Sequence, residues 1–146
     1  MIKKKKVMVF GVFDLLHPGH LDFFKQAKKF GNFLIVSVAR DVNVIKVKGA
    51  KPIHDEKKRA ENIGMVPWVD KIVLAGLKDP WPHIMKEKPD VIALGYDQEA
   101  YVSKSSLNQF KDELEKHGLK KTEVVRLKPH WPEVYKSKLF RKNHEV

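Results

Sequence analysis

Two histidines separated by Pro-Gly are, by type and spacing, the residues of this chain best suited to chemistry. They end the run Gly11-Val12-Phe13-Asp14-Leu15-Leu16-His17-Pro18-Gly19-His20, which follows a short apolar segment. Gly11 permits a tight exit from a strand, and Gly19 lets the backbone approach a ligand. Pro18 favours the start of a helix, where free backbone N–H groups and the helix dipole attract phosphate. Two imidazoles there can donate hydrogen bonds to oxygens whose charge grows in a transition state.

A lone histidine at a strand–turn–helix junction is usually incidental. The complete pattern is much more specific, so we interpret the run as a phosphate site with His17 and His20 at its centre.

A second basic stretch, Lys46-Val47-Lys48-Gly49-Ala50-Lys51-Pro52, lies in a predicted loop over residues 40–53. Arg59 follows on the next predicted helix. Lysine-rich loops are usually solvated faces without a ligand. This one follows the second predicted strand, at the sheet edge where ligands bind, and that position favours a role in binding.

A third stretch, Gly95-Tyr96-Asp97-Gln98, comes directly after a buried-type strand. A glycine followed by an acidic residue suits the nucleoside end of a binding site, where Asp97 would contact ribose or base. The alternative is a turn in which the aspartate caps its own backbone.

The elements that must position these residues alternate regularly between strand and helix. Apolar runs predict five strands, over residues 7–10, 33–39, 71–75, 90–94 and 122–127. Helical patterns lie over residues 18–30, from 54 onward, over 81–86 and 105–116, and from 135 onward. This order predicts an α/β fold with a doubly wound, Rossmann-like, five-stranded parallel sheet. Residues 1–146 are expected to form a single domain. Its ligand loops should cover residues 11–20, 40–53, 95–103 and 128–136.

The composition of the chain indicates an anionic partner but does not show which kind. The formal net charge of +11 attracts anions, which include nucleic acid, membrane surfaces and phosphorylated small molecules. The absence of cysteine excludes disulfides and thiolate metal sites. No apolar run is long enough to span a bilayer or to serve as a signal peptide, so we expect a cytoplasmic protein.

The first run resembles the signature of the cytidylyltransferase-like nucleotidyltransferases, which carry H-x-G-H. Among them, G-x-F-D-x-x-H-x-G-H is most similar to glycerol-3-phosphate cytidylyltransferases and archaeal FAD synthetases. The resemblance covers residues 5 to 142 and implies that His17 and His20 contact the triphosphate and stabilise a pentacoordinate transition state. It further implies that the backbone near Val12 and Phe13 cradles the nucleotide and that Asp14 shapes the phosphate site.

The same resemblance implies roles for the second and third stretches. Lys48, Lys51 and Arg59 match basic positions that would neutralise the leaving pyrophosphate. Gly95 and Asp97 match a G-x-D pattern at the nucleotide.

The chain departs from the glycerol-3-phosphate enzymes near its end. They carry R-T-x-G-x-S-T-T, whereas the matching segment here reads Pro132-Glu133-Val134-Tyr135-Lys136-Ser137-Lys138-Leu139. Ser137 can still cap a final helix and bond a phosphate, and whether residues 135–139 contact substrate stays open. By contrast, residues 38–41, 48–52 and 124–128 look like archaeal FAD synthetases, although the C-terminal cysteines common in those proteins are absent.

These features predict a nucleotidyltransferase that transfers AMP from ATP to FMN, giving FAD and pyrophosphate. The alternative is a cytidylyltransferase that uses CTP and glycerol 3-phosphate or a related phosphorylated polyol. A third hypothesis is a non-catalytic nucleotide or nucleic-acid binding module. The net charge of +11 favours this hypothesis, and the intact His17-Pro18-Gly19-His20 motif argues against it.

Mg²⁺ is expected to be carried by the triphosphate rather than by a protein site. Neither nucleic acid nor membrane is expected as a partner, because the lysines are scattered along the chain without interleaved aromatics. Dimers are common in the resembled family, but nothing in the sequence shows one.

Overall fold

A five-stranded sheet, all of whose strands are parallel, forms the centre of the molecule in the order β3-β2-β1-β4-β5. The computed structural model describes residues 3–95 and 107–128. The strands are β1 (Lys6–Gly11), β2 (Phe33–Val38), β3 (Lys71–Leu74), β4 (Val91–Leu94) and β5 (Glu123–Arg126). The helices are α1 (Pro18–Lys28), α2 (Asp41–Lys48), α3 (Glu56–Gly64), α4 (Trp81–Glu87) and α5 (Leu107–Lys116). The predicted doubly wound α/β architecture is confirmed.

The strands form because their residues are apolar on both faces, as expected when helices cover both sides of a parallel sheet. Successive side chains of a strand point to opposite faces. Val7 and Val9 of β1 thus enter a core with Phe24 of α1 and Ile63 of α3. The opposite face builds a second core, which contains Met8, Phe10, Trp81, Ile84, Phe110 and Leu114.

The segment after β2 differs from the sequence prediction. A loop over residues 40–53 was expected, but Asp41–Lys48 is the helix α2. Asp41 opens this helix, and Gly49 ends it in the left-handed conformation with φ 75°, which glycine adopts without steric cost. Val44 is its one buried residue, so no apolar stripe of helical period marks it in the sequence.

The strand order reverses between β1 and β4, which are neighbours although they are far apart in the chain. In open α/β sheets, ligands bind beside such a switch point at the carboxyl ends of the strands. The loop that follows β1 carries the histidine run, and Gly95 follows β4 directly. None of the helices within residues 3–95 and 107–128 is long and apolar enough to cross a membrane.

Candidate active site

The loop after β1 turns sharply at Phe13, whose backbone lies in the left-handed region with φ 53°. A non-glycine residue held there is strained, and such residues cluster at functional sites. The Phe13 ring is 6% exposed and packs against Phe24 with ring centroids 5.0 Å apart. A Cβ added to Gly11 would lie 2.6 Å from Cζ of the Phe13 ring, which is closer than real Cβ atoms come. Gly11 is thus required by this ring, which anchors the loop in the core.

The two histidines stack on each other at the head of α1. Their ring centroids are 3.9 Å apart and their planes are inclined by 26°. His17 is the N-cap of α1, and its Nδ1 accepts a hydrogen bond from the Gly19 amide at 3.1 Å. A neutral imidazole that accepts at Nδ1 carries its proton on Nε2. The cap therefore turns His17 into a donor at Nε2.

His20 is held neutral by its surroundings. Burial lowers the pKa of His20 from 6.5 to about 3, and the neighbouring His17 ring adds to this effect, while a hydrogen bond with the Leu15 backbone opposes it. The edge of the Phe13 ring lies beside His20, with centroids 5.6 Å apart. A neutral imidazole can donate one hydrogen bond to a phosphate oxygen and exchange no proton in the physiological range.

The backbone amides at the start of α1 have partners within the helix turn. The Gly19 amide donates to His17 Nδ1, and the amides of His20 and Leu21 donate to the His17 carbonyl at 2.9 and 3.2 Å. Pro18 has no N–H to donate. The free amides that the sequence predicts at this helix start are thus occupied, and anion binding depends on the imidazoles and the helix dipole.

Asp14 joins the loop after β1 to the segment that follows Lys51. Its two carboxylate oxygens accept from the backbone amides of Ile53 and His54, at 2.6 and 2.8 Å. Lys51 lies two residues before this attachment and is exposed. Asp14 thus organises the site by holding the backbone that presents Lys51.

Arg59 is fully buried and is shared among three partners. Its Nη1 donates to the Val12 carbonyl at 2.9 Å, its Nε to the His54 carbonyl at 3.1 Å, and its Nη2 to Asp41 Oδ1 at 2.5 Å. Direct contact with pyrophosphate would require the guanidinium to leave these partners. In this structure Arg59 thus holds the backbone at Val12 and His54, and the pyrophosphate contact that the sequence predicts stays a prediction.

Asp41 and Glu56 complete this cluster and were missed in the sequence. Asp41 Oδ2 accepts from the Glu56 amide at 3.1 Å, and Glu56 Oε1 accepts from the Asp41 amide at 2.9 Å, which ties the starts of α2 and α3 together. Burial works to raise the pKa of Asp41, but the hydrogen bonds from Arg59 and Glu56 and the charges of Arg59 and Arg40 bring it below its usual value. An aspartate opening a segment that ends Lys48-Gly49 was the available signal for a helix start.

The remaining predicted site residues divide between described and undescribed parts of the chain. Lys48 is the exposed last residue of α2. The Gly95 carbonyl, just past β4, accepts from Arg126 Nη1 of β5 at 2.8 Å. Asp97 and Ser137, with the segment 135–139, lie outside the described residues. Their predicted contacts stay predictions.

Within residues 3–95 and 107–128, no group of three His, Asp or Glu side chains is arranged to hold a metal ion. The carboxylates after β1 and β2, of Asp14, Asp41 and Glu56, accept hydrogen bonds from the protein, and the other polar side chains there include the two imidazoles and exposed lysines. Such groups fit an anionic ligand with several oxygens, because imidazole N–H groups and ammonium groups pair with phosphate oxygens. The site can thus orient a polyphosphate and stabilise charge on it.

Comparison with known proteins agrees with this chemistry. A family model described as cytidylyltransferase-like matches residues 8–143. A curated FAD synthase from Ferroglobus placidus is 44% identical over 124 residues, which cover 85% of this chain and 76% of that protein. An FAD synthase from Thermococcus sibiricus is 42% identical over 140 residues, 94% of this chain and 88% of that one.

Solved structures show the same architecture. The lipopolysaccharide core biosynthesis protein from Thermoplasma volcanium matches with a TM-score of 0.78 and 35% identity, over 88% of this chain and 99% of that one. A pantothenate synthetase from Thermus thermophilus matches with a TM-score of 0.54 and 16% identity, over 97% of this chain and 64% of that one. The second likeness is one of fold alone.

Proposed function

The chain belongs to the cytidylyltransferase-like family, and from that premise we propose that it is an FAD synthase, which transfers AMP from ATP to FMN. The relatives named FAD synthase agree with the first of the two activities that the sequence predicts. The stacked His17–His20 pair beside the β1/β4 switch point carries the nucleotidyl-transfer part of the proposal.

In the proposed reaction a phosphate oxygen of FMN attacks the α-phosphorus of ATP. A bond forms between that oxygen and the α-phosphorus, and the bond between the α-phosphorus and the bridging oxygen to the β-phosphorus breaks, so pyrophosphate leaves with its electron pair. No protein nucleophile takes part. Positioning and charge stabilisation supply the rate enhancement, as in other phosphoryl transfers.

The histidines serve this step as neutral donors. His17 presents an Nε2–H because its Nδ1 is occupied by the Gly19 amide. His20 stays uncharged because of burial, so its ring carries one N–H, and donating that proton from Nδ1, which has no hydrogen-bond partner among the described residues, requires the ring to give up its hydrogen bond with the Leu15 backbone. Donors fixed before the reaction stabilise the charge that develops on the α-phosphate oxygens without having to reorient.

Lys48 and Lys51 are proposed to receive the β- and γ-phosphates, and Asp14 and Arg59 to hold the backbone around them. Mg²⁺ would be bound by the phosphate oxygens and would neutralise part of their charge. Nucleotidyltransferases generally use a divalent metal. If the phosphates carry it, the Mg²⁺ requirement should track the ATP concentration and not the enzyme concentration. The proposed reaction requires only the single domain that the sequence predicts over residues 1–146.

The decisive experiment measures pyrophosphate release with each pair of nucleotide and acceptor. ATP with FMN should give pyrophosphate and FAD in equal amounts, with FAD identified chromatographically. Release with CTP and glycerol 3-phosphate, and none with ATP and FMN, would overturn the FAD synthase proposal. That outcome is worth testing because one similar solved structure is described as a lipopolysaccharide core biosynthesis protein.

A further inference from the structure

The amino ends of the strands carry a group of lysines that the proposed reaction does not use. We call it the amino-end face and define it by seven exposed lysines: Lys3, Lys4, Lys5, Lys29, Lys88, Lys120 and Lys121. Because every strand is parallel, these residues lie at the edge opposite the histidines. From Lys6 to Gly11, β1 alone spans about 17 Å.

Hydrogen bonds place the starts of the strands that these lysines flank side by side, in the order β2-β1-β4-β5, while Lys29 ends a helix on one face of the sheet and Lys88 ends a helix on the other face. Asn32 joins Lys5 through two hydrogen bonds, from the Lys5 amide to Asn32 Oδ1 at 2.7 Å and from the Asn32 amide to the Lys5 carbonyl at 3.0 Å. The Asp90 amide donates to the Lys6 carbonyl at 2.9 Å. Thr122 Oγ1 donates to the Pro89 carbonyl at 2.7 Å, which brings the 120–121 pair beside residue 88. The starts of these four adjacent strands span about 14 Å.

Ion pairs within the described residues do not neutralise the positive charge of this face. None of the seven lysines has an ion pair within the described residues, and Lys4 lies over the Phe33 ring, 4.4 Å from its centroid. Two other lysines nearby do have partners, since Lys28 pairs with Asp70 and Lys71 with Glu87.

The opposing charge at this edge is small. The exposed carboxylates there include Asp70, Asp90 and Glu123, and Asp70 is paired with Lys28, which is not one of the seven. The carboxyl ends of α1, α4 and α5 add about half a negative charge each. A surplus of roughly three to four positive charges remains after these are subtracted.

We propose that the amino-end face binds the phosphate backbone of duplex nucleic acid without sequence preference. A duplex carries about one negative charge per 1.7 Å of its axis, so several ammonium groups at one edge of the sheet can meet several phosphates at once and release their counterions. The scattered lysines of the sequence gave no such indication, because only the fold brings residues 5, 29, 88 and 121 to one edge.

A membrane surface fits less well. Basic membrane-binding surfaces interleave their cations with inserted apolar side chains. In the described part of the chain, the unburied large apolar side chains beside the seven lysines are Phe30, which is 40% exposed and follows Lys29, and the half-buried Phe33 under Lys4.

The test is fluorescence anisotropy with the full chain and a labelled duplex of about 20 base pairs, measured across a salt series from about 50 to 200 mM. Contact with about four phosphates predicts a slope near −4 in log K against log salt. The quadruple variant Lys5→Glu, Lys29→Glu, Lys88→Glu, Lys121→Glu should lose at least tenfold in affinity and most of the slope, while an unchanged circular dichroism spectrum reports that it folds.

The matched control changes the same number of exposed lysines elsewhere: Lys57→Glu, Lys58→Glu, Lys78→Glu and Lys111→Glu. It has the same net charge as the first variant and should keep affinity within about threefold. Equal losses in the two variants would show that net charge alone acts and would overturn the proposal. So would no duplex binding by the unmodified chain, or tighter binding to vesicles containing phosphatidylserine than to the duplex.

If charge reversal prevents folding, the milder set Lys5→Ala, Lys29→Ala and Lys121→Ala gives the same comparison, with a shallower slope expected and an unchanged slope contradicting the proposal. Every readout is a binding constant, so failure here leaves the FAD synthase proposal standing, and the reverse also holds.

Discussion

The two edges of the parallel sheet differ in whether their charged side chains are paired. At the carboxyl edge, Arg59 is buried and shares its three nitrogens among Asp41 and two carbonyls, and Arg40 is paired with Glu56. At the amino edge, seven exposed lysines have no ion pair in the described residues. Fixed charges and dipoles suit catalysis, because a group already oriented costs nothing to reorganise during the reaction. Mobile exposed charges suit loose attraction, which salt screens.

The largest expected effect is on kcat, which should fall after a substitution at the carboxyl edge of the sheet and stay unchanged after one at the amino edge. His17→Asn keeps an N-cap side chain but removes the Nε2 donor, so kcat should fall by about 100- to 1,000-fold. The free energy of unfolding in urea should change by less than about 0.5 kcal/mol, because asparagine is a good N-cap. Lys29→Glu, at the amino edge, should leave kcat unchanged. An unaltered kcat in His17→Asn would remove His17 from the reaction.

The next effect compares a buried cation with a half-buried one. Arg59→Met leaves Asp41 and two backbone carbonyls without their donor and should lower the free energy of unfolding by about 3 kcal/mol, at the lower end for buried pairs because Asp41 is partly exposed. Arg40→Met breaks a more exposed pair and should cost under about 1 kcal/mol. Urea titrations of both variants make the comparison. Equal losses would contradict the positioning role of Arg59.

A third effect depends on pH. The pKa of His20 is about 3 in the folded protein and 6.5 in the unfolded chain. As the pH falls below 6.5 the unfolded chain binds this proton first, so stability is lost between about pH 6.5 and 3. For this one group the loss is at most about 1.4 kcal/mol per pH unit. His20→Asn should flatten the dependence measured by urea unfolding at pH 7 and 5, while Lys29→Ala should keep it. Identical slopes in all three proteins would mean that His20 is not buried as a neutral ring.

The smallest effect lies at the amino edge. Lys88 ends α4 with φ 49° and ψ 60°, a conformation that costs a residue with a Cβ and suits glycine. Lys88→Gly should therefore raise the free energy of unfolding by about 0.5 to 1 kcal/mol. It should also weaken duplex binding slightly, and kcat should not change. A loss of stability would show that the lysine side chain contributes more than its backbone costs.

Sequence reasoning recovered most of the architecture because buried parallel strands are continuous apolar runs that differ from their surroundings. It failed at α2, where Val44 is the single buried residue and the apolar positions lack a helical period. It found the H-P-G-H motif because the required residues are adjacent in the chain. It did not show that Arg59 is buried, because charge and order along the chain do not report burial.

The sequence by itself determined the chemistry at the head of α1, since two imidazoles, a proline and two glycines must stand within ten positions to form it. Only the tertiary structure decided what the charged residues do. Arg59 meets Val12, 47 residues away, and Asp41, 18 residues away, through the packing of α2 and α3. The seven lysines come to one edge of the sheet because its strands are parallel. Electrostatic interactions depend on distance and burial, and in this protein the fold sets both.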